Sequence, residues 1–146
     1  IPYYEDNLGE KYILLVKEFR SPVNNRDGYV YEFPGGSAEP DEKISAIKNA
    51  LKELKEEVKL DVSESRVDFV STRQLASTFS IHRSHLYKIR MTHDEFHMMK
   101  TYSDNNIVFE GEDGDERTFC VLMKVSDIHK VPVDYSTLGM LFEAKI

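Results

Sequence analysis

The fold of this 146-residue chain is decided by the stretch Lys52-Glu53-Leu54-Lys55-Glu56-Glu57-Val58-Lys59-Leu60, which follows a Gly35-Gly36 pair. In a helix, Glu53, Glu56 and Glu57 share one face, because residues three and four positions apart are neighbours. Each like-charge pair there destabilises a helix by about a few tenths of a kcal/mol. A divalent cation would turn this repulsion into binding, because hard cations take oxygen ligands. Taken alone, such a Lys/Glu-rich run is typical of a solvated helix face.

Composition limits the classes of protein to which the chain can belong. Its length suits one domain with a hydrophobic core, and we expect residues 1–146 to form a single domain preceded by an N-terminal segment. The net charge of −7 disfavours a general nucleic-acid partner. No apolar run approaches the ~18 residues that would span a bilayer. The single cysteine, Cys120, excludes an internal disulfide framework and favours a reducing compartment, which we expect to be the cytoplasm.

Strand and helix patterns alternate along the chain, which favours an α/β or α+β domain with a mixed sheet. Apolar residues at helical spacing predict a helix from Ser45, its N-cap, to about Lys59. The Thr92–Glu95 capping-box pattern predicts a helix over 93–102, and a last helix is expected to begin near Asp134 or Ser136. Strands are predicted over 11–19, 29–33, 67–75, 84–91, 105–110 and 118–125, the last two around an acidic turn over 111–116.

The glutamates belong to a larger device that can do chemistry. A strand leads to Pro34-Gly35-Gly36, where glycine allows positive φ and a close backbone approach, and an acidic loop then leads to the helix. The apolar stripe of the helix would fix it against the sheet and hold the carboxylates rigid. Such carboxylates can bind Mg²⁺ or Mn²⁺, leaving water and substrate phosphates as the other ligands. A metal held in this way suits the cleavage of a diphosphate.

At these residues the chain resembles the Nudix hydrolase family. The family pattern is Gly, five residues, Glu, seven residues, then Arg-Glu-apolar-x-Glu-Glu-x-Gly-apolar, and here five residues likewise separate Gly36 from Glu42. The resemblance implies a Nudix fold, an α/β/α sandwich with a mixed central sheet. It also implies metal ligands at four positions, and a role for one of them on the attacking water. These positions are Glu53, Glu56, Glu57 and Glu42.

The sequence differs from the family pattern at three points. Nine residues separate Glu42 from Lys52 where the family has seven, and we place the insertion at about 43–44, outside the helix. Lys52 replaces Arg and so loses the planar fork that would orient a carboxylate. Lys59 replaces the usual Gly after the helix. These departures keep open a second function, a Nudix-fold nucleotide-binding module with weak or no catalysis.

Segments beyond this motif resemble the ADP-ribose and nucleotide-sugar pyrophosphatase branch of the family. They are Leu14 to Pro22, Tyr31 to Gly36 and, more loosely, Asp134 to Leu138. The resemblance implies substrate contacts at Gly36 and at Arg20, which would bind phosphate, and a catalytic glutamate in the late acidic loop. Glu116 is the best match for this glutamate, with Asp115 and Glu112 as rivals. Glu53 and Glu57 are the other catalytic candidates.

The expected reaction is Mg²⁺-dependent hydrolysis (Mn²⁺ being the other candidate) of the diphosphate in a nucleoside diphosphate linked to another moiety. ADP-ribose or a nucleotide sugar is the favoured substrate, and the products are a nucleoside monophosphate and a phosphorylated moiety. Capped RNA and dinucleoside polyphosphates are weaker candidates. The branch often dimerises, so we expect a homodimer.

Two other signals favour structural roles. His93 and His97 have the i, i+4 spacing of a zinc site on a helix, but Asp94 stands where zinc proteases need Glu, and no third ligand is evident. Cys120 lies in an apolar strand and is expected to pack as a small buried hydrophobe.

Overall fold

A computed structural model of the protein describes residues 1–21, 25–37, 44–78, 80–110 and 117–146. Two predicted site residues, Glu42 and Glu116, lie outside this part of the chain. The rival residues Asp115 and Glu112, and the acidic turn predicted over 111–116, lie outside it as well.

The described residues form seven strands and three α-helices. The strands are β1 (Pro2–Glu5), β2 (Lys11–Phe19), β3 (Tyr29–Glu32), β4 (Asp68–Gln74), β5 (Arg83–Arg90), β6 (Val108–Glu110) and β7 (Arg117–Lys124). The helices are α1 (Ala46–Val58), α2 (His93–Asp104) and α3 (Tyr135–Ala144). Two short 3-10 helices cover Glu64–Arg66 and Val125–Lys130.

The strands form one mixed sheet in the order β4-β5-β1-β2-β7-β6, with β3 also paired to β2. β1 runs parallel to β5, and the other described pairings are antiparallel. The long strand β2 pairs with β1 through its first residues and with β3 through its last four. β3 therefore lies at the end of β2 that carries Arg20, and the glycine turn follows it directly.

Strand β2 contributes side chains to both faces of the sheet. Leu14 and Val16 pack in one core with residues of α1 and α2, while Ile13 and Leu15 pack in a second core with residues of α3. Four consecutive buried residues are what a strand covered on both faces requires. The predicted α/β/α sandwich with a mixed central sheet is confirmed.

The predicted helices are present, and local sequence accounts for how they begin. Ser45 is the N-cap of α1, and its side chain accepts the backbone N–H of Lys48. Thr92 and Glu95 form the reciprocal capping box of α2, and Asp134 caps α3. The strand predicted over 105–110 is shorter than expected, because Asn105 and Asn106 complete the end of α2.

Strand β1 was not predicted from the sequence. It has four residues, and its parallel pairing to β5 depends on residues more than eighty positions away.

Among the described residues, no helix is long and apolar enough to cross a membrane.

Candidate active site

The glutamate flank of α1, the side that carries Glu53, Glu56 and Glu57, faces the segment after β3. This segment bends at Pro34 and continues through Gly35 and Gly36, and we call it the glycine turn. The backbone N–H of Gly35 donates to Oε2 of Glu57 at 2.9 Å. A methyl group placed on Gly36 would lie 2.5 Å from Oε1 and 2.6 Å from Oε2 of Glu53. Two carboxylates one helical turn apart therefore meet two consecutive residues of the turn.

Glycine permits both positive φ and a close approach, and at Gly36 the structure uses the close approach. Positive φ occurs among the described glycines at Gly9 and Gly28, but not at Gly35 or Gly36. A methyl group on Gly35 would meet nothing within 4 Å, whereas one on Gly36 would collide with the Glu53 carboxylate. The close approach of Glu53 is what favours glycine at position 36.

A third residue of α1, Asn49, also contacts the turn, and the sequence analysis missed it. Its side chain is 7% exposed, and its Nδ2 donates to the carbonyl oxygen of Gly36 at 3.1 Å. The available signal was an amide in the interior of a helix, where asparagine is less favourable than alanine. Asn49, Glu53 and Glu57 follow one another at four-residue spacing, so they form one ridge along the helix.

Apolar packing and a polar contact hold α1 in place beneath the turn. Leu54 and Val58 are buried in the core shared with β2 and α2. At the other end of the ridge, Oγ1 of the buried Thr118 in β7 donates to the backbone carbonyl of Glu57 at 2.9 Å. The helix is thus attached to the sheet at the residue that also binds Gly35.

Arg20 lies at the end of β2 and forms ion pairs with two carboxylates. Its Nη2 is 2.9 Å from Oε2 of the buried Glu18 and 3.6 Å from Oε2 of Glu32. The side chain remains 46% exposed. This exposure leaves part of the guanidinium able to contact an anion.

The remaining motif positions have distinct surroundings. Glu56 is half-buried on the glutamate flank, and the exposed Lys52 lies beside Glu53 in the sequence. Lys59, where the family pattern has Gly, is the C-cap of α1 and adopts the left-handed conformation with φ +57°. Its Nζ donates to the backbone carbonyl of Glu56 at 3.0 Å and lies 5.8 Å from the centre of the Phe109 ring. These contacts offset part of the strain of a lysine in that conformation.

The donor set suits a hard divalent cation, although the described residues do not contain a complete site. Three glutamates on one flank supply oxygen only, which is what Mg²⁺ takes. Within the described ranges, no three His, Cys, Asp or Glu side chains are close enough together to form a ready metal site. Mg²⁺ usually binds one or two carboxylates and completes its shell with water and substrate phosphates, which the Glu53–Glu57 pair would permit.

The histidine pair and the cysteine lie apart from this flank. Nε2 of His97 is 3.0 Å from Nε2 of His93 on the exposed surface of α2, and Nδ1 of His93 is 3.1 Å from the Tyr4 hydroxyl. Cys120 is buried in the core against Met99. Burial raises the pKa of the Cys120 thiol to about 12, so it is neutral at physiological pH. It packs as a buried hydrophobe, as the sequence predicted.

Comparisons with known proteins place this geometry in a family. A family model described as the NUDIX domain matches residues 4–136. Among 36 matching chains of solved structures is a mutT/nudix family protein from Listeria innocua, at a TM-score of 0.58 and 19% identity. That match covers 99% of this chain and 87% of the other. A comparison with curated proteins finds no match.

Proposed function

Because the chain belongs to the Nudix domain family, whose members hydrolyse nucleoside diphosphate derivatives, we propose that it cleaves the diphosphate of a nucleoside diphosphate linked to another moiety. ADP-ribose or a nucleotide sugar is the favoured substrate. The products are a nucleoside monophosphate and the phosphorylated second moiety.

One observation carries this proposal. Glu53 and Glu57 of α1 meet the Gly35-Gly36 turn through a carboxylate in van der Waals contact and a 2.9 Å hydrogen bond. An ordinary solvated helix face does not direct two carboxylates at one backbone turn. A binding site for a cation and a diphosphate requires such fixed oxygens beside exposed backbone.

The family resemblance gives each residue a role. Glu53, Glu56 and Glu57 would hold the metal, with Glu42 as a supporting ligand. Glu57 or Glu116 would take a proton from the attacking water, as a positioned carboxylate can. The 46% exposed Arg20 would bind a substrate phosphate, and the backbone of Gly36 would contact the substrate.

The family generally uses a divalent metal, and we propose Mg²⁺, with Mn²⁺ as a substitute. When bound, such an ion polarises a phosphoryl oxygen and neutralises developing charge. The chain's own contribution is to hold the Glu53 and Glu57 carboxylates close to the turn, so that little reorganisation is needed when the ion and the substrate bind.

Assembly and location are further proposals. We expect a homodimer, as in the branch that the sequence resembles. The single, buried cysteine is consistent with a reducing compartment such as the cytoplasm.

The test is a substrate panel with product analysis. The protein is incubated with Mg²⁺ and ADP-ribose, nucleotide sugars, dinucleoside polyphosphates and capped RNA, and released monophosphates are measured. We expect turnover of ADP-ribose or a nucleotide sugar that Glu53→Gln abolishes. Glu64→Gln, which alters an exposed carboxylate in a 3-10 helix, is the matched control and should stay active.

A nucleotide-binding module without catalysis is the second candidate. The observation that favours it is the departure from the family pattern at Lys52, at Lys59 and in the spacing between Glu42 and Lys52. If no panel member is turned over while one of them still binds, the hydrolase proposal is wrong and the binding module is correct.

A further inference from the structure

Asn49 is a buried polar residue at a position where helix stability alone would favour an apolar residue. It lies in the first half of α1 and is 7% exposed. A buried amide is unfavourable unless it is hydrogen-bonded, and asparagine is a weaker helix former than alanine or leucine. The bond from its Nδ2 to the Gly36 carbonyl oxygen, at 3.1 Å, gives one N–H donor of the amide a partner. Because that bond links α1 to the glycine turn, it indicates that Asn49 acts on the conformation of the turn.

Three successive residues of the ridge hold the turn at three points. Asn49 binds the carbonyl of Gly36, the carboxylate of Glu53 lies against the Cα of Gly36, and Glu57 accepts the N–H of Gly35. Two adjacent glycines have wide backbone freedom, and the turn could rotate if it were held only by the two carboxylates. The bond to Gly36 fixes the peptide plane that follows the point where Glu53 makes contact.

We propose that Asn49 is a positioning residue that fixes the Gly36 peptide and thereby sets the positions of the Glu53 and Glu57 carboxylates for a divalent cation. This inference rests on the proposed metal-dependent function. Groups that orient metal ligands from outside the coordination shell commonly change metal affinity by about 10- to 100-fold when they are mutated. The effect of Asn49 therefore falls on the metal and on turnover more than on folding.

The decisive variant is Asn49→Leu, which keeps a similar side-chain volume and favours the helix but removes the donor. Asn49→Ala is the second variant and does not depend on whether a leucine fits. Ser103→Ala is the matched control, because Ser103 of α2 also joins a helix side chain to a neighbouring backbone, accepting the Leu122 N–H at 3.0 Å. That bond lies in the other helix, away from the glycine turn.

Three quantities are measured for each variant: Mn²⁺ binding by electron paramagnetic resonance, kcat and KM over a range of Mg²⁺, and the urea unfolding midpoint. For both Asn49 variants we expect Mn²⁺ affinity to fall about tenfold and kcat to fall at limiting metal, with substrate KM little changed. The unfolding midpoint of Asn49→Leu should equal or exceed that of the wild type. Ser103→Ala should lose stability and bind Mn²⁺ normally.

The outcomes separate this inference from the function on which it rests. Wild-type binding of Mn²⁺ by either Asn49 variant, with the unfolding midpoint lowered as in Ser103→Ala, would show a structural role and overturn the inference. If the wild-type protein itself neither binds Mn²⁺ nor hydrolyses any substrate of the panel, the proposed function fails and the inference fails with it.

Discussion

Helices α1 and α2 pack on the same side of the sheet, and each carries acidic residues clustered near one end. The cluster lies at the N-terminal end of α2 and towards the C-terminal end of α1. In α2, Asp94 and Glu95 lie in the first turn. In α1 no acid lies in the first turn, and the acids Glu53, Glu56 and Glu57 occupy the last two turns. The helix dipole stabilises negative charge at the N-terminus and destabilises it at the C-terminus by about 0.3–1 kcal/mol.

The acids of α2 are explained by folding alone. Glu95 accepts the Thr92 N–H in the capping box, and both of its oxygens are bonded to Arg66, at 2.6 and 2.7 Å. This arrangement satisfies the helix end, the carboxylate and the guanidinium at once. The acids of α1 oppose the dipole and one another, so the helix dipole does not account for their positions. We propose that their contacts with the glycine turn serve the function.

The largest expected effect tests the α1 side of this contrast. Glu57→Gln should lower turnover by at least about a hundredfold, because a positioned carboxylate contributes roughly 10²–10⁴ in rate. Folding stability should change far less, by about 1 kcal/mol or less, since a partly exposed carboxylate contributes little to folding. The glutamine oxygen can still accept the Gly35 N–H. Steady-state kinetics and urea unfolding measure the two effects, and a fully active variant would show that Glu57 has no catalytic or metal-binding role.

The two glycines of the turn give the next effect and supply their own control. Gly36→Ala should lower activity by about tenfold or more, because the new methyl group would displace the Glu53 carboxylate by van der Waals overlap. Stability should change little, since the position does not need positive φ. Gly35→Ala places its methyl group in open space and should leave activity unchanged. Equal activity losses in the two variants would contradict the role assigned to Glu53.

These two glycines also show where prediction from the sequence ends. Paired glycines in a sequence indicate a turn. Whether a glycine there is needed for a positive φ or for a close approach depends on Glu53, which lies seventeen residues after Gly36. The same limit applies to Asn49, whose partner is a backbone carbonyl in the turn. Caps such as Ser45 and Thr92 were predictable, because their partners lie three residues along the chain. Local chemistry can be read from the sequence, and contacts formed only on folding cannot.

On the α2 side, Glu95→Gln should destabilise the fold by about 1–2 kcal/mol and leave kcat unchanged, since it removes charge-assisted bonds to Arg66. The hydrogen bond from Arg66 holds the pKa of Glu95 below its ordinary value of 4.5. The ionised glutamate therefore stabilises the fold fully above pH 4.5, and this contribution is lost as pH falls through the lowered pKa. Urea unfolding of the wild-type protein and of Glu95→Gln between pH 7 and pH 3 checks this expectation. If the difference in stability between the two proteins grew as pH fell, the expectation would be contradicted.

The smallest effect concerns how α1 ends. Lys59→Gly should raise stability by about 0.5–1 kcal/mol, because a non-glycine residue in the left-handed conformation is strained, and the loss of the lysine contacts and the extra chain entropy of glycine offset only part of the gain. Lys145, the C-cap of α3, has the same φ of +57° and makes Lys145→Gly a matched comparison. Thermal unfolding and Mg²⁺-dependent turnover are measured for both variants. If Lys59→Gly is stabilised without a change in turnover, the lysine at this family position affects folding alone. If the turnover of Lys59→Gly falls while that of Lys145→Gly does not, Lys59 acts on the nearby Glu56 and Glu57. Lysine at this position would then favour the active site and destabilise the helix.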